Sequence, residues 1–203
     1  MREILIVVGS NEGKNSNSYH IEKYIENILK YEANFTEILL SEVEESSSEK
    51  IIRNLERYDN LVFISNLRKD VLNNISDKFL MKLNEYFKKF KGDKSLYVSF
   101  ILNGDIDTLK SAEEINFMLE KCNKLCEGEN IIWQKGIGSI SDLELWKRGL
   151  NSDESENEQL ILELEMFCQD VKNNKTYHHN SFATPVRGKG ILGFLNKKLQ
   201  QFN

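Results

Sequence analysis

Hydrophobic positions along the chain alternate between two patterns. Short continuous apolar runs, rich in β-branched residues, recur at Ile4-Leu5-Ile6-Val7-Val8 and at residues 35–40, 61–65, 95–102 and 131–137. Runs without polar alternation predict strands buried on both faces of a parallel sheet. Between them the apolar residues move to helical spacing. Ile21, Tyr24, Ile25, Ile28 and Leu29 mark a helix within residues 16–32, and Ile51, Ile52, Leu55 and Tyr58 mark a second. The second follows Ser46-Ser47-Ser48-Glu49, which offers capping hydroxyls and a first-turn acid. Further helices are predicted over residues 79–90, over 112–126 with Ile115, Leu119 and Cys122 on one stripe, and over 160–171.

Strands alternating with helices predict parallel pairing through right-handed crossovers. Five such strands predict one α/β domain over residues 1–172, a doubly wound parallel sheet of order 2-1-3-4-5 in three layers. In that topology a ligand sits beyond the carboxyl ends of strands 1 and 3, where the winding reverses. The rule selects residues 9–18 and 65–74, with the loop that starts at Asn103-Gly104 beside them. Residues 142–158 are polar and read as a connection across the ligand edge. The tail, 173–203, holds the only proline, Pro185, then a basic stretch around Arg187 and Lys189, and a short amphipathic stripe of Leu192, Leu195, Leu199 and Phe202.

Composition narrows the class. A chain of 203 residues, 40% hydrophobic, can bury one sizeable core. A net charge of −5 carries no general attraction to nucleic acid or an anionic membrane, and no apolar run reaches spanning length. Neither nucleic-acid binding nor membrane insertion is therefore expected. The first strand starts directly after Met1-Arg2-Glu3, and the three cysteines are sparse and odd in number. Both features lead us to expect a cytoplasmic protein without a leader segment.

The chemistry concentrates in the first loop, Gly9-Ser10-Asn11-Glu12-Gly13-Lys14-Asn15-Ser16-Asn17-Ser18. Backbone amides at a helix N-terminus attract anions, and Ser and Asn side chains add donors. A P-loop requires four residues between its first glycine and the Gly-Lys pair, followed by Ser or Thr. Here only three intervene and Asn15 follows Lys14, which excludes an NTPase. The Gly-x-Gly-x-x-Gly dinucleotide fingerprint is absent as well. A monophosphate cradle of neutral donors and a simple helix cap both remain open.

This loop resembles that of the flavodoxin-like NAD(P)H-dependent FMN reductases, whose relatives include iron-sulfur flavoproteins. Their loop typically reads Gly-Ser-Pro-Arg, a few variable residues, then Gly-Asn-Thr or Gly-Asn-Ser. Gly9-Ser10 and Asn17-Ser18 match, while Asn11, Glu12 and Ser16 replace the proline, the basic residue and the last glycine. The resemblance implies a flavodoxin-like fold, with Ser10, Ser16, Asn17 and Ser18 around an FMN phosphate. It places Ser65, Asn66, Leu67 and Arg68 at the flavin ring, and Asn103 and Gly104 at a third flavin contact. Where the family continues with Pro and an aromatic residue, this chain has Asn66-Leu67-Arg68.

The activity so implied is hydride transfer from NAD(P)H through FMN to a small acceptor such as a quinone or flavin, in a homodimer. FMN carries that chemistry, so no catalytic side chain is named. Arg68 and Lys69 would lie at the ring edge, where they are either solvated charges or partners of reduced flavin or a cofactor phosphate. The alternative is a flavodoxin-like binding or regulatory module with weak or lost flavin binding.

Other candidates carry less. Cys122 and Cys126 read as buried thiols, His178-His179 as exposed or structural, and Asp105 and Asp107 as turn formers. No metal or iron-sulfur cluster is expected. Trp133 and Trp146 flank residues 136–139, read as a turn, and are assigned to core or interface.

Overall fold

The computed structural model describes residues 1–68, 71–104, 108–140 and 154–183. The strands are β1 (Arg2–Gly9), β2 (Ala33–Leu39), β3 (Asn60–Arg68), β4 (Val71–Leu72), β5 (Leu96–Gly104), β6 (Ile131–Ile140) and β7 (Ser181–Ala183). The helices are α1 (Asn17–Leu29), α2 (Glu45–Arg53), α3 (Asn74–Phe87), α4 (Thr108–Leu125) and α5 (Glu154–Asn173). Two single 3₁₀ turns, Gly13–Asn15 and Leu55–Arg57, precede α1 and β3.

The sheet runs β2-β1-β3-β5-β6-β7, with every neighbouring pair parallel, and β4 folds back antiparallel onto the end of β3. The five strands expected from the sequence take the expected order. The sixth, β7, comes from the segment assigned to the tail, where Ser181, Phe182 and Ala183 pair with Ile137, Gly138 and Ser139. Three residues with one buried side chain offer too short an apolar run to be seen as a strand.

Both sheet faces are covered, which explains the continuous apolar runs. Leu5, Val7, Leu61, Phe63, Val98, Phe100 and Leu102 pack under α2, α3 and α4. Ile4, Ile6, Val62, Ile64, Ile101 and Ile137 pack under α1 and α5, against Ile21, Ile25, Leu164 and Phe167. The three-layer architecture follows from these two cores. Each fully buried aliphatic or aromatic side chain contributes about 1.5–3 kcal/mol of hydrophobic stabilisation.

Local readings need correction at several points. Positions 46–48 lie within α2 rather than before it, and its N-cap is Glu44, without a side-chain cap bond. Residues 136–139 are not a turn but lie within β6. Much of 65–74 is strand and hairpin rather than open loop. Trp146, Asp105, Asp107, residues 142–153 of the polar connection and the tail from 184 onward lie outside the described residues.

Candidate functional site

The strand register brings the selected residues together at one edge. Gly9 pairs with Ser65, Asn66 with Asn103, Leu67 with Gly104, and Asn103 with Ser139. Parallel partners project to the same face, so the carboxyl ends of β1, β3, β5 and β6 carry two polar layers, one on each side of the sheet.

On the α1/α5 side lie Ser18, Asn66, Asn103 and Ser139, all buried. Ser18 Oγ donates to Asn66 Oδ1 at 2.8 Å, and Ser139 Oγ donates to Asn103 Oδ1 at 2.7 Å. Each asparagine carbonyl oxygen is thereby fixed by a hydroxyl from a neighbouring element. On the α3 side the Gly9 carbonyl is the centre. It accepts from Ser65 Oγ at 2.8 Å, from Ser76 Oγ at 2.7 Å and from the Asn73 amide. Asn73 also caps α3, its Oδ1 accepting from Ser76 N at 2.9 Å. Only glycine fits at position 9, because a Cβ there would lie 2.3 Å from Ser76 Oγ and 2.9 Å from the Phe63 ring.

The loop between these layers is folded on itself. Ser10 Oγ accepts from Glu12 N at 3.2 Å. Ser16 is the N-cap of α1: its Oγ accepts from Tyr19 N at 3.2 Å and donates to Gly13 O at 2.7 Å. Gly13 takes a φ of +54°, which favours glycine, and its α-carbon faces Ser41. Ser10, Ser16, Asn17 and Ser18 are each no more than 3% exposed, and the first turn of α1 carries no acidic side chain. The helix thus presents its N-terminal dipole among neutral hydroxyls and amides.

The proposed cofactor can be tested against these residues end by end. Ser16, Asn17 and Ser18 at the start of a 13-residue helix, with Ser10 after the end of β1, are buried neutral residues of a kind that suits a phosphate monoester. The ring end is different. Asn66 is tied to Ser18, and Leu67 is 4% exposed in the core under α3, so neither forms a wall for a flavin ring. The Arg68 side chain and Lys69 lie outside the described residues.

Asn73, Ser76 and Ser139 were not singled out from sequence, although Asn73-x-x-Ser76 is a recognisable helix-start pattern. Their partner is a backbone carbonyl or an amide on another strand, which no local pattern reveals. Trp133 stands apart from the edge, stacked on Phe100 with centroids 5.7 Å apart near the start of β6. Cys122, Cys126 and Cys168 are buried free thiols. Burial pushes the last two up to about 12 and Cys122 higher still, so none is poised as a thiolate. His178 and His179 are exposed.

No protein-family model matches the sequence, and no curated protein matches it. Solved structures do. An NADH:FMN oxidoreductase in its apo form superposes with a TM-score of 0.64 at 9% identity, over 88% of this chain and 92% of its own. The flavoenzyme NAD(P)H:(acceptor) oxidoreductase FerB from Paracoccus denitrificans gives 0.53 at 12% identity, over 85% and 96%. Oxidised flavodoxin 1 from Bacillus cereus gives 0.51 at 13% identity, over 87% and 100%. The chain therefore has the flavodoxin-like fold, which it shares with NAD(P)H-dependent FMN reductases and with flavodoxin.

Proposed function

We propose that the protein is an FMN-binding oxidoreductase that uses NAD(P)H and a small acceptor such as a quinone or a flavin. One observation carries the reading: Ser10, Ser16, Asn17 and Ser18 are buried around the N-terminus of α1, at the carboxyl edge where the winding of the sheet reverses. Neutral hydroxyls and amides around a helix N-terminus are a donor set that a phosphate monoester suits.

In this reading Ser10, Asn17 and Ser18 hold the phosphate. Ser16 orients the first turn of α1 through its cap. Asn66, Asn103 and the backbone at Ser65, Leu67, Arg68 and Gly104 meet the polar edge of the ring. When bound, FMN supplies the redox chemistry, taking hydride from NAD(P)H. The protein supplies position and a neutral, dipole-lined anchor. Pairing of two copies belongs to the same reading. Among the described residues no helix is long and apolar enough to cross a membrane.

A second reading, a flavodoxin-like binding or regulatory module with weak flavin affinity, is favoured by one feature. Both loop hydroxyls at the helix start are already engaged, Ser16 with Gly13 and Ser18 with Asn66.

The two are separated by purifying the protein without added cofactor, recording its visible spectrum, and titrating FMN and riboflavin. The oxidoreductase reading expects flavin bands, NAD(P)H oxidation with a quinone, and FMN bound about a hundredfold more tightly than riboflavin, about 2.7 kcal/mol from the phosphate. Asn17→Ala is expected to remove most of that difference. A colourless protein that neither perturbs the spectrum of added FMN nor oxidises NAD(P)H would sink the enzyme reading.

A further inference from the structure

One buried acid has no role in the site above. Glu22 lies on α1, one turn beyond Ser18, and is fully buried, yet neither of its carboxylate oxygens accepts a hydrogen bond. Glu26 follows one turn later on the same helix face, and Glu37 reaches them from the edge strand β2. Oxygens of these three residues lie within 4.8 Å of one another.

A single cation serves all three. The Lys23 ammonium is 2.6 Å from Glu37, 2.8 Å from Glu26 and 3.4 Å from Glu22 Oε2, while Glu22 Oε1 meets no donor. With all groups ionised, one ammonium against three carboxylates leaves a residual charge of about −2. The lysine does not fully compensate Glu22: burial, then the Glu37 charge, push it up to about 7 despite Lys23.

We propose that Glu22, Glu26 and Glu37 form a binding site for a hard divalent cation such as Ca²⁺ or Mn²⁺, which takes the place of the Lys23 ammonium. The ligand set is all oxygen, as such ions require, and a divalent ion offsets more of its three carboxylate charges than one ammonium does. The ammonium already stands within reach of all three carboxylates, which shows that a cation can meet them at once. Glu26 and Glu37 are partly open to solvent, so water can complete the coordination shell. The lysine side chain is 39% exposed, so it can turn outward into water. A bound ion would tie α1, the helix that carries the candidate phosphate loop, to the edge strand. The site stands whether or not the chain binds flavin.

Calorimetric titration of the full chain with CaCl₂ and MnCl₂, alongside thermal unfolding, tests this. Wild type is expected to bind one ion per chain and to unfold at a higher temperature in its presence. Lys23→Met, which removes the competing ammonium, is expected to bind about tenfold more tightly, and Glu22→Gln about tenfold more weakly. The ion competes with a proton on Glu22, whose charged neighbours are Lys23, Glu26 and Glu37. Binding should therefore weaken from pH 8 to pH 6. Glu22→Gln removes a charge with almost no change of shape, and its metal-free form is expected to unfold above wild type at pH 8. Absence of binding in both wild type and Lys23→Met overturns the site, and so does wild-type affinity in Glu22→Gln. Should Lys23→Met fail to fold, wild type against Glu22→Gln decides alone.

Discussion

The two ends of the sheet differ in how much neutral polar chemistry they bury and in how many charged contacts they carry. At the carboxyl end, Ser10, Ser16, Asn17, Ser18, Ser65, Ser76, Asn103 and Ser139 are buried and neutral, and their bonds link four strands and two helices. Towards the amino end a smaller buried set, in which Asn60 Nδ2 donates to Gln134 Oε1 at 3.0 Å and Gln134 Nε2 to the Asp170 carbonyl at 3.2 Å, is surrounded by charged contacts nearer to water. Lys94 pairs with Asp59 at 2.8 Å, Lys172 with Glu32 at 2.7 Å, and Arg2 donates to the Lys172 carbonyl at 3.0 Å. A cavity of about 100 Å³ there is lined by Arg2, Glu32 and Lys172 beside four apolar residues. Charges in water are cheap to place and individually stabilise little, whereas buried neutral dipoles must be satisfied one by one. The larger of the two buried neutral networks lies at the carboxyl end, the edge that the topology selects for a ligand.

Three substitutions test that contrast, in decreasing order of effect. Gly9→Ala sets a methyl group against Ser76 Oγ and the Phe63 ring, displacing two hydroxyls from the Gly9 carbonyl. A loss of about 3 kcal/mol in urea unfolding is expected. A loss below about 0.5 kcal/mol would show that the carboxyl-end network gives way freely.

Ser18→Ala strips the Asn66 carbonyl oxygen of its donor. The expected cost is about 1–2 kcal/mol of stability, accompanied by weaker FMN binding. Full stability combined with wild-type FMN affinity would remove Ser18 from both roles.

Asp59→Asn probes the amino end. Partial burial works to raise the Asp59 carboxyl, but the Lys94 ammonium and the Glu3 amide outweigh it and hold the group below the usual carboxylate range. A lowered folded pKa contributes stability at pH values above the unfolded value, and that stability is lost as pH falls through the folded one. The variant should therefore cost about 1 kcal/mol or less at pH 7, less in high salt, and progressively less as pH falls below the ordinary carboxylate range. An effect as large as that of Gly9→Ala would erase the distinction between the ends.

Glu22 qualifies the comparison, since it is a buried acid on α1 with neither oxygen hydrogen-bonded. Its raised folded pKa means that it destabilises progressively between the ordinary glutamate range and about 7, and fully above. A cation at the Glu22, Glu26 and Glu37 carboxylates would reverse that penalty.

Much of the fold was legible because two fully covered sheet faces leave uninterrupted apolar runs such as Ile4 to Val8. The short edge strand β7 was not, having only Ala183 buried. At the site, Gly9, Ser10, Asn17 and Ser18 stood out because glycines and small polar residues between a buried strand and a helix have few other uses. Ser76 and Ser139 did not, since a lone serine in a helix or strand is ordinary until its partner is known. Glu22 and Glu26 share a helix face in any reading of the sequence. Glu37 joins them only when β2 pairs with β1.

The sequence by itself determined the alternation of strands and helices, hence the doubly wound order and the edge at which a ligand would lie. It also placed a neutral, donor-rich loop at that edge. Only the tertiary structure decided what each donor does: Ser16 closes the first turn of α1, Ser18 holds Asn66, and Gly9 gathers Ser65, Ser76 and Asn73. Periodicity records which face of an element meets the core, a local property. A hydrogen bond between residues 48 positions apart, as for Ser18 and Asn66, records strand order and register, which exist only once the sheet has formed.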